Sequence, residues 1–117
     1  MTSEIVTLQD GQPVTTSLIV AESFGKKHRH VLDAIDSIIS TETYQKRGMP
    51  NFRQTPYLHP QNGQTYRMFT MDRQGFEILA MGFTGEKALE WKLKYSDAFA
   101  MMEAELRRQR AGAPQFR

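Results

Sequence analysis

The chain has 117 residues, no cysteine and a formal net charge of +2, with 39% hydrophobic and 24% charged side chains. That is enough length to bury a core without staples, and the missing thiols exclude disulfide scaffolds and thiolate metal sites. No apolar run reaches the length of a membrane span and the first residues lack a secretion signal's pattern, so one soluble, cytoplasmic domain is expected over residues 1–108, with a disordered tail at 109–117.

Charge is unevenly spread. Residues 1–22 hold three acids and no base, whereas Tyr44 to Met71 hold no acid against Lys46, Arg47, Arg53 and Arg67. With Lys26, Lys27 and Arg29, the middle of the chain carries most of the positive field. Such a surface suits a polyanion, and equally an acidic protein.

Glu4–Thr7 and Val14–Thr16 flank Gln9-Asp10-Gly11-Gln12, and Asp-Gly signals a hairpin turn. The stretch SLIVAESFGKKHRHVLDAIDSII, Ser17 to Ile39, follows directly. Ser17 is placed to cap a first helix whose Val20, Ala21 and Phe24 share a face, and Gly25 ends that helix by adopting positive φ. A second helix, starting near Lys26, spaces Val31, Leu32, Ile35, Ile38 and Ile39 for burial and turns Asp33 and Asp36 to solvent. Small Ala21, Gly25 four residues on and branched Val31 six further fit the close crossing of a helix-turn-helix unit. Lys26 departs from that pattern, which usually has an apolar residue after the turn glycine. The start of the second helix in such a unit meets base edges in the major groove. Here it carries Lys26, Lys27, His28, Arg29 and His30. A helical hairpin with a solvated basic face satisfies the same spacing.

The segment STETYQKRGMP reads as a loop, marked by Gly48 and Pro50. A second hairpin follows, Asn51–Leu58 and Gln64–Met71, with Asn62-Gly63 suited to a type I′ turn and Pro56 assigning its strand to an edge. Tyr66, Met68 or Phe69, and Met71 are expected on its buried face, with Arg53, Gln54, Gln64 and Arg67 pointing outward. It reads as a basic wing, or as an ordinary hairpin covering the core. Asp72 is expected to cap a buried helix, RQGFEILAMGF, using Phe76, Ile78, Leu79, Met81 and Phe83. Thr84 then caps a final helix from Glu86 to about Arg108. Its stripe comprises Ala88, Trp91, Tyr95, Phe99, Met102 and Leu106, widened by Leu89 and Leu93. That stripe outruns a small core, so its end from Met101 to Leu106 is expected to meet a second subunit in a homodimer, or to fray.

TSLIVAESFGKKHRHVLDAI and GFEILAMGFTGEKALEWKLKYSDAFAMMEAEL, with NFRQTPY and NGQTY between them, resemble the Rha family of temperate-phage and prophage regulatory proteins. The similarity runs over residues 14–106, and MGFTGEKALEWKLKY is its most specific block. The resemblance implies a phage-encoded regulator acting in the bacterial host's cytoplasm by binding DNA. Many members continue into a C-terminal domain resembling those of phage antirepressors.

Catalytic and metal chemistry finds no support in the residues. His28 and His30 face different ways on a helix, no carboxylate stands at ligand spacing to them or to His59, and no nucleophile or phosphate-loop motif occurs. The expectation is an α+β, winged-helix-like domain with a helix-turn-helix, two small β-hairpins and a long C-terminal helix. It is expected to be no enzyme and to need no cofactor, metal, membrane or small-molecule substrate. Lys26, Lys27, His28, Arg29 and His30 would enter the major groove of double-stranded DNA, with Arg29 on a guanine edge. Lys46, Arg47, Arg53 and Arg67 would hold the backbone. The alternative is a protein-binding, antirepressor-like phage factor that inhibits a repressor or a host protein.

Overall fold

Asp10 and Gly11 both adopt left-handed backbone angles, φ 53° and 76°, the requirement of a two-residue I′ turn. They join β1 (Thr7–Gln9) to β2 (Gln12–Thr16), paired antiparallel with Gln9 opposite Gln12. The computed structural model describes residues 5–48 and 51–111. Glu4, expected in the first strand, lies outside the described residues, as do Met49, Pro50 and residues 112–117.

From β2 the chain passes straight into α1 (Ser17–Phe24). The cap is Thr16, not Ser17: its side chain accepts the Ile19 N–H. Gly25 ends α1 at φ 65°, returning its N–H to the Ala21 and Glu22 carbonyls. The second helix begins two residues later than expected, as α2 (His28–Ile39), with Lys27 in the cap position and extended backbone there. Ala21, Val20, Val31 and Ile35 are buried where the two helices cross. Lys26 explains its departure from the usual pattern by geometry. Its ammonium lies 4.8 Å over the Phe83 ring, so an alkyl stem covers apolar surface while the charge stays in water.

The stretch expected as a loop contains a short helix, α3 (Glu42–Arg47), capped by Thr41 accepting from the Tyr44 N–H and ended by Gly48 at φ 67°. Thr41 as cap with Glu42 in the first turn and Lys46 and Arg47 in the last complements the helix dipole, a signal too short to register as periodicity. The hairpin β3 (Phe52–Leu58) and β4 (Thr65–Met71) completes a four-stranded antiparallel sheet in the order β1-β2-β4-β3. Pro56 does sit in an edge strand. The connection is a six-residue loop closed by His59 N–H to the Gln64 carbonyl, and Asn62 does not take positive φ; the expected I′ turn is absent. Phe69 and Met71 face the core, but Tyr66 is exposed, because the two-residue alternation of the strand turns it to the face opposite theirs.

Asp72 caps α4 (Arg73–Ala80) by accepting the Gly75 N–H at 2.8 Å. Phe76, Leu79 and Phe83 are buried as expected. Met81, just past the helix end, is 76% exposed instead. In α5 (Glu86–Ala111), the Leu89 N–H bonds the Gly85 carbonyl, putting Gly85 rather than Thr84 in the cap position. Ala88, Tyr95, Phe99 and Met102 pack inward, with Tyr95 stacked on Phe76 at 4.3 Å. The buried phenol is satisfied by the Ser23 hydroxyl at 2.8 Å, which ties α5 to α1. Leu89 and Leu93 do not widen this stripe: they face solvent, 54% and 57% exposed. No helix among the described residues is long and apolar enough to cross a membrane.

Candidate nucleic-acid interface

β2 pairs with β4 over only two positions, Thr15 with Met71 and Thr16 with Thr70. Because the chain then turns into α1, the next outward β4 donor, Phe69 N–H, has no strand to receive it. The fully buried Ser17 hydroxyl oxygen takes that bond at 2.9 Å, and also lies 2.8 Å from His28 Nε2. One serine thus fastens the first residue of α1, the first residue of α2 and the free edge of β4. His28 also meets the Tyr57 ring edge-on from β3, at 6.0 Å. Burial first, and then the charge of Arg67, holds its pKa below the usual histidine value, so the ring that bonds Ser17 is neutral at pH 7. His28 is therefore a fastening within the fold rather than a free side chain for a ligand.

That fastening aims the rest of the turn outward. Lys27, Arg29 and His30 are all exposed around the first turn of α2. The helix start has no side-chain cap and no acid in its first turn. Its positive dipole end therefore coincides with three nitrogen-bearing side chains, an arrangement suited to an anion. One turn further along the same exposed face, Asp33 introduces a negative charge.

The remaining candidates fall elsewhere. Lys26 lies in the turn, against Phe83. Lys46 pairs with Glu42 at 2.9 Å on exposed α3, and Arg47 is exposed at the end of that helix, beyond the far end of α2. Arg53 is exposed on β3 opposite Thr70, near the β1–β2 turn. Arg67 is engaged in a two-point bond to Asp36 of α2, Nη1 to Oδ1 at 3.1 Å and Nη2 to Oδ2 at 2.7 Å, with Nη1 also reaching Gln54 Oε1 at 3.3 Å. That bond holds the Asp36 carboxyl below its usual range and raises Arg67 further. The structure therefore gathers Lys27, Arg29 and His30 with the Arg67–Asp36 pair nearby, and leaves Lys46, Arg47 and Arg53 at separate edges. Sequence reasoning missed Ser17, Tyr57 and Asp36 as the parts that fix this geometry. Nothing local marks them, since each acts through a partner distant in the chain. No group of three or more His, Asp or Glu residues among the described residues could hold a metal ion.

The family model described as phage regulatory protein Rha matches residues 15–104, from β2 to α5, the span containing this whole arrangement. The chain belongs to the Rha family. Among its relatives, the uncharacterized 22.8 kDa protein of the gp15–gp3 intergenic region of Salmonella phage P22 is 37% identical over 90% of this chain and 52% of its own length. An uncharacterized Haemophilus influenzae protein is 29% identical over 82% of the chain and 55% of its own. The antirepressor-like protein YoqD, derived from the SPbeta prophage of Bacillus subtilis, is 30% identical over 85% of the chain and 39% of its own. This chain thus spans about half the length, or less, of these relatives. No solved structure matches it.

Proposed function

We propose that this Rha chain is a non-enzymatic phage regulator of the host cytoplasm that binds double-stranded DNA, with the first turn of α2 in the major groove and the β3–β4 hairpin as a wing. The observation that carries the reading is the uncapped, acid-free start of α2 with Lys27, Arg29 and His30 exposed around it. The order β2, α1, turn, α2 and then, after the short α3, the β3–β4 hairpin supports it, with β2 paired to β4. That order is how winged-helix domains hold a recognition helix beside a wing. Family membership supports the regulatory role. In this reading Arg29 reads a guanine edge, Lys27 and His30 meet phosphate beside it, and Arg53, Lys46 and Arg47 extend the basic border.

The test is binding to fragments of the phage's own genome, by gel shift with competitor DNA, across a salt series. Affinity should fall with log slope of about −0.9 per phosphate neutralised. Affinity unchanged between ~50 and ~200 mM salt would remove the reading, because phosphate contacts cannot escape counterion release.

A second reading rests on the likeness to an antirepressor-like protein. In it the same basic face docks on an acidic repressor or host protein. Retention of a phage repressor by the immobilised chain, without retention of DNA, would favour it.

A further inference from the structure

Helix α5 has a second apolar face that the described residues leave uncovered. Leu89 and Leu93 are 54% and 57% exposed, and Ala100 and Ala104 are exposed as well. Eleven residues separate Leu89 from Ala100 and Leu93 from Ala104, three helical turns, so the four side chains form one nearly straight line away from the core stripe. The large residues lie at the N-terminal end and the small ones towards the C-terminal end. Of the end expected from the sequence to meet a second subunit, Met101 to Leu106, Met102 is buried in the chain's own core and Leu106 is half-buried, whereas Met101 is 45% exposed and Ala104 belongs to this second face.

We infer that two copies of this chain pair through α5 in antiparallel register about a two-fold axis between Ser96 and Asp97, with Leu89 and Leu93 of each copy seated on Ala104 and Ala100 of the other. The register follows from arithmetic: 89 with 104 and 93 with 100 share one centre, the condition for an isologous contact. Leucines over alanines let the helices approach closely and fill the space between them. Charge fits the same register and not the parallel one. Exposed Glu86 falls opposite the other copy's exposed Arg107, and Lys94 comes within a turn of the other copy's Asp97. A parallel pairing would place Glu86 against Glu86 and Arg107 against Arg107. Met81, 76% exposed beside a cavity of about 200 Å³ that Ser96 helps to line, extends the apolar border towards α4.

The inference is independent of the DNA reading, and its tests need no DNA. Sedimentation of the intact chain should show a concentration-dependent dimer. Leu89→Glu with Leu93→Glu should sediment as monomer with an unchanged circular dichroism spectrum, since both side chains are exposed. The lack of native cysteine allows a second test that does not depend on a loss. Leu89→Cys chains mixed with Ala104→Cys chains should be joined by a short bis-maleimide, whereas neither variant should join to itself. Monomer at high concentration, a dimer indifferent to the glutamates, or self-joining of Leu89→Cys would each overturn the inference.

Discussion

Arg29 and His28 are neighbours in sequence with opposite duties, because one turn of helix sends one outward and the other against Ser17. Arg29→Ala should cost about 1–3 kcal/mol of specific DNA affinity and relax preference at one base pair, while leaving the melting temperature unchanged. Fluorescence anisotropy against a panel of single base-pair substitutions checks both. His28 should report instead in stability. Its folded pKa lies below the unfolded value of 6.5, through burial and then Arg67. The unfolded chain therefore takes up the proton first as pH falls. The Ser17–His28 contact contributes fully above that unfolded value and loses its contribution as pH drops through the folded one. Thermal melts between about pH 7.5 and pH 5 should fall more steeply for the native chain than for His28→Asn. Parallel curves would mean that His28 carries no such linkage.

At the scale of elements, the Arg67–Asp36 bond couples the β3–β4 hairpin to α2, and the two readings of Arg67 compete for one guanidinium. The pair is substantially exposed, so it should contribute only about 0–1 kcal/mol to stability. Asp36→Ala would release Arg67. Under the DNA reading the variant should bind DNA more tightly at low salt, with a salt slope steeper by about one phosphate, despite being marginally less stable. Unchanged slope would mean that Arg67 never reaches the backbone. Gly75 makes a second element-level case. Helix propensity alone favours alanine there by about 1 kcal/mol. Yet a Cβ at Gly75 would stand 2.7 Å from the Asn51 carbonyl oxygen. That backbone is held by the Tyr44 hydroxyl at its N–H and by Asn51 side-chain bonds to Asp72 and Gln74. Gly75→Ala should therefore destabilise by about 1–3 kcal/mol in denaturant unfolding, the range of overpacking. Gly82→Ala, whose Cβ meets nothing closer than 3.7 Å, should be close to neutral. These cases mark how far the sequence could be read. Asp10-Gly11, Gly25, Asp72 and the α5 core stripe were legible because each is a local signal or a periodic one. Thr16 rather than Ser17 as cap, the occupation of Arg67 and His28, and the outward Leu89 and Leu93 were not. Each depends on which surface a distant element brings up, and hydrophobic spacing cannot say which of two apolar faces on one helix is buried.

For the whole molecule, the two proposals combine into a constraint on the operator that neither makes alone. An isologous α5 pair relates two α2 helices by a two-fold axis, and a two-fold protein reads two half-sites that are inverted repeats. If α2 is the reader, the operator should be a dyad-symmetric sequence. Its half-site centres should lie about one helical turn, roughly 10–10.5 base pairs, or a multiple of it apart, since only then do both copies meet the groove from the same side. Footprinting on the phage's own control regions should show two protected segments related by that dyad. The double substitution Leu89→Glu and Leu93→Glu separates the contributions. It leaves the basic turn of α2 untouched, so each half-site should still be bound, with the single-copy salt slope. What should disappear is joint occupancy, because the second half-site no longer enjoys the effective concentration that a linked partner provides. Affinity for the intact operator should then drop by about 10²–10⁴-fold, while affinity for an isolated half-site stays level. Equal losses on both would place Leu89 and Leu93 in the DNA contact itself, and no loss on either would mean that one copy suffices to read the site.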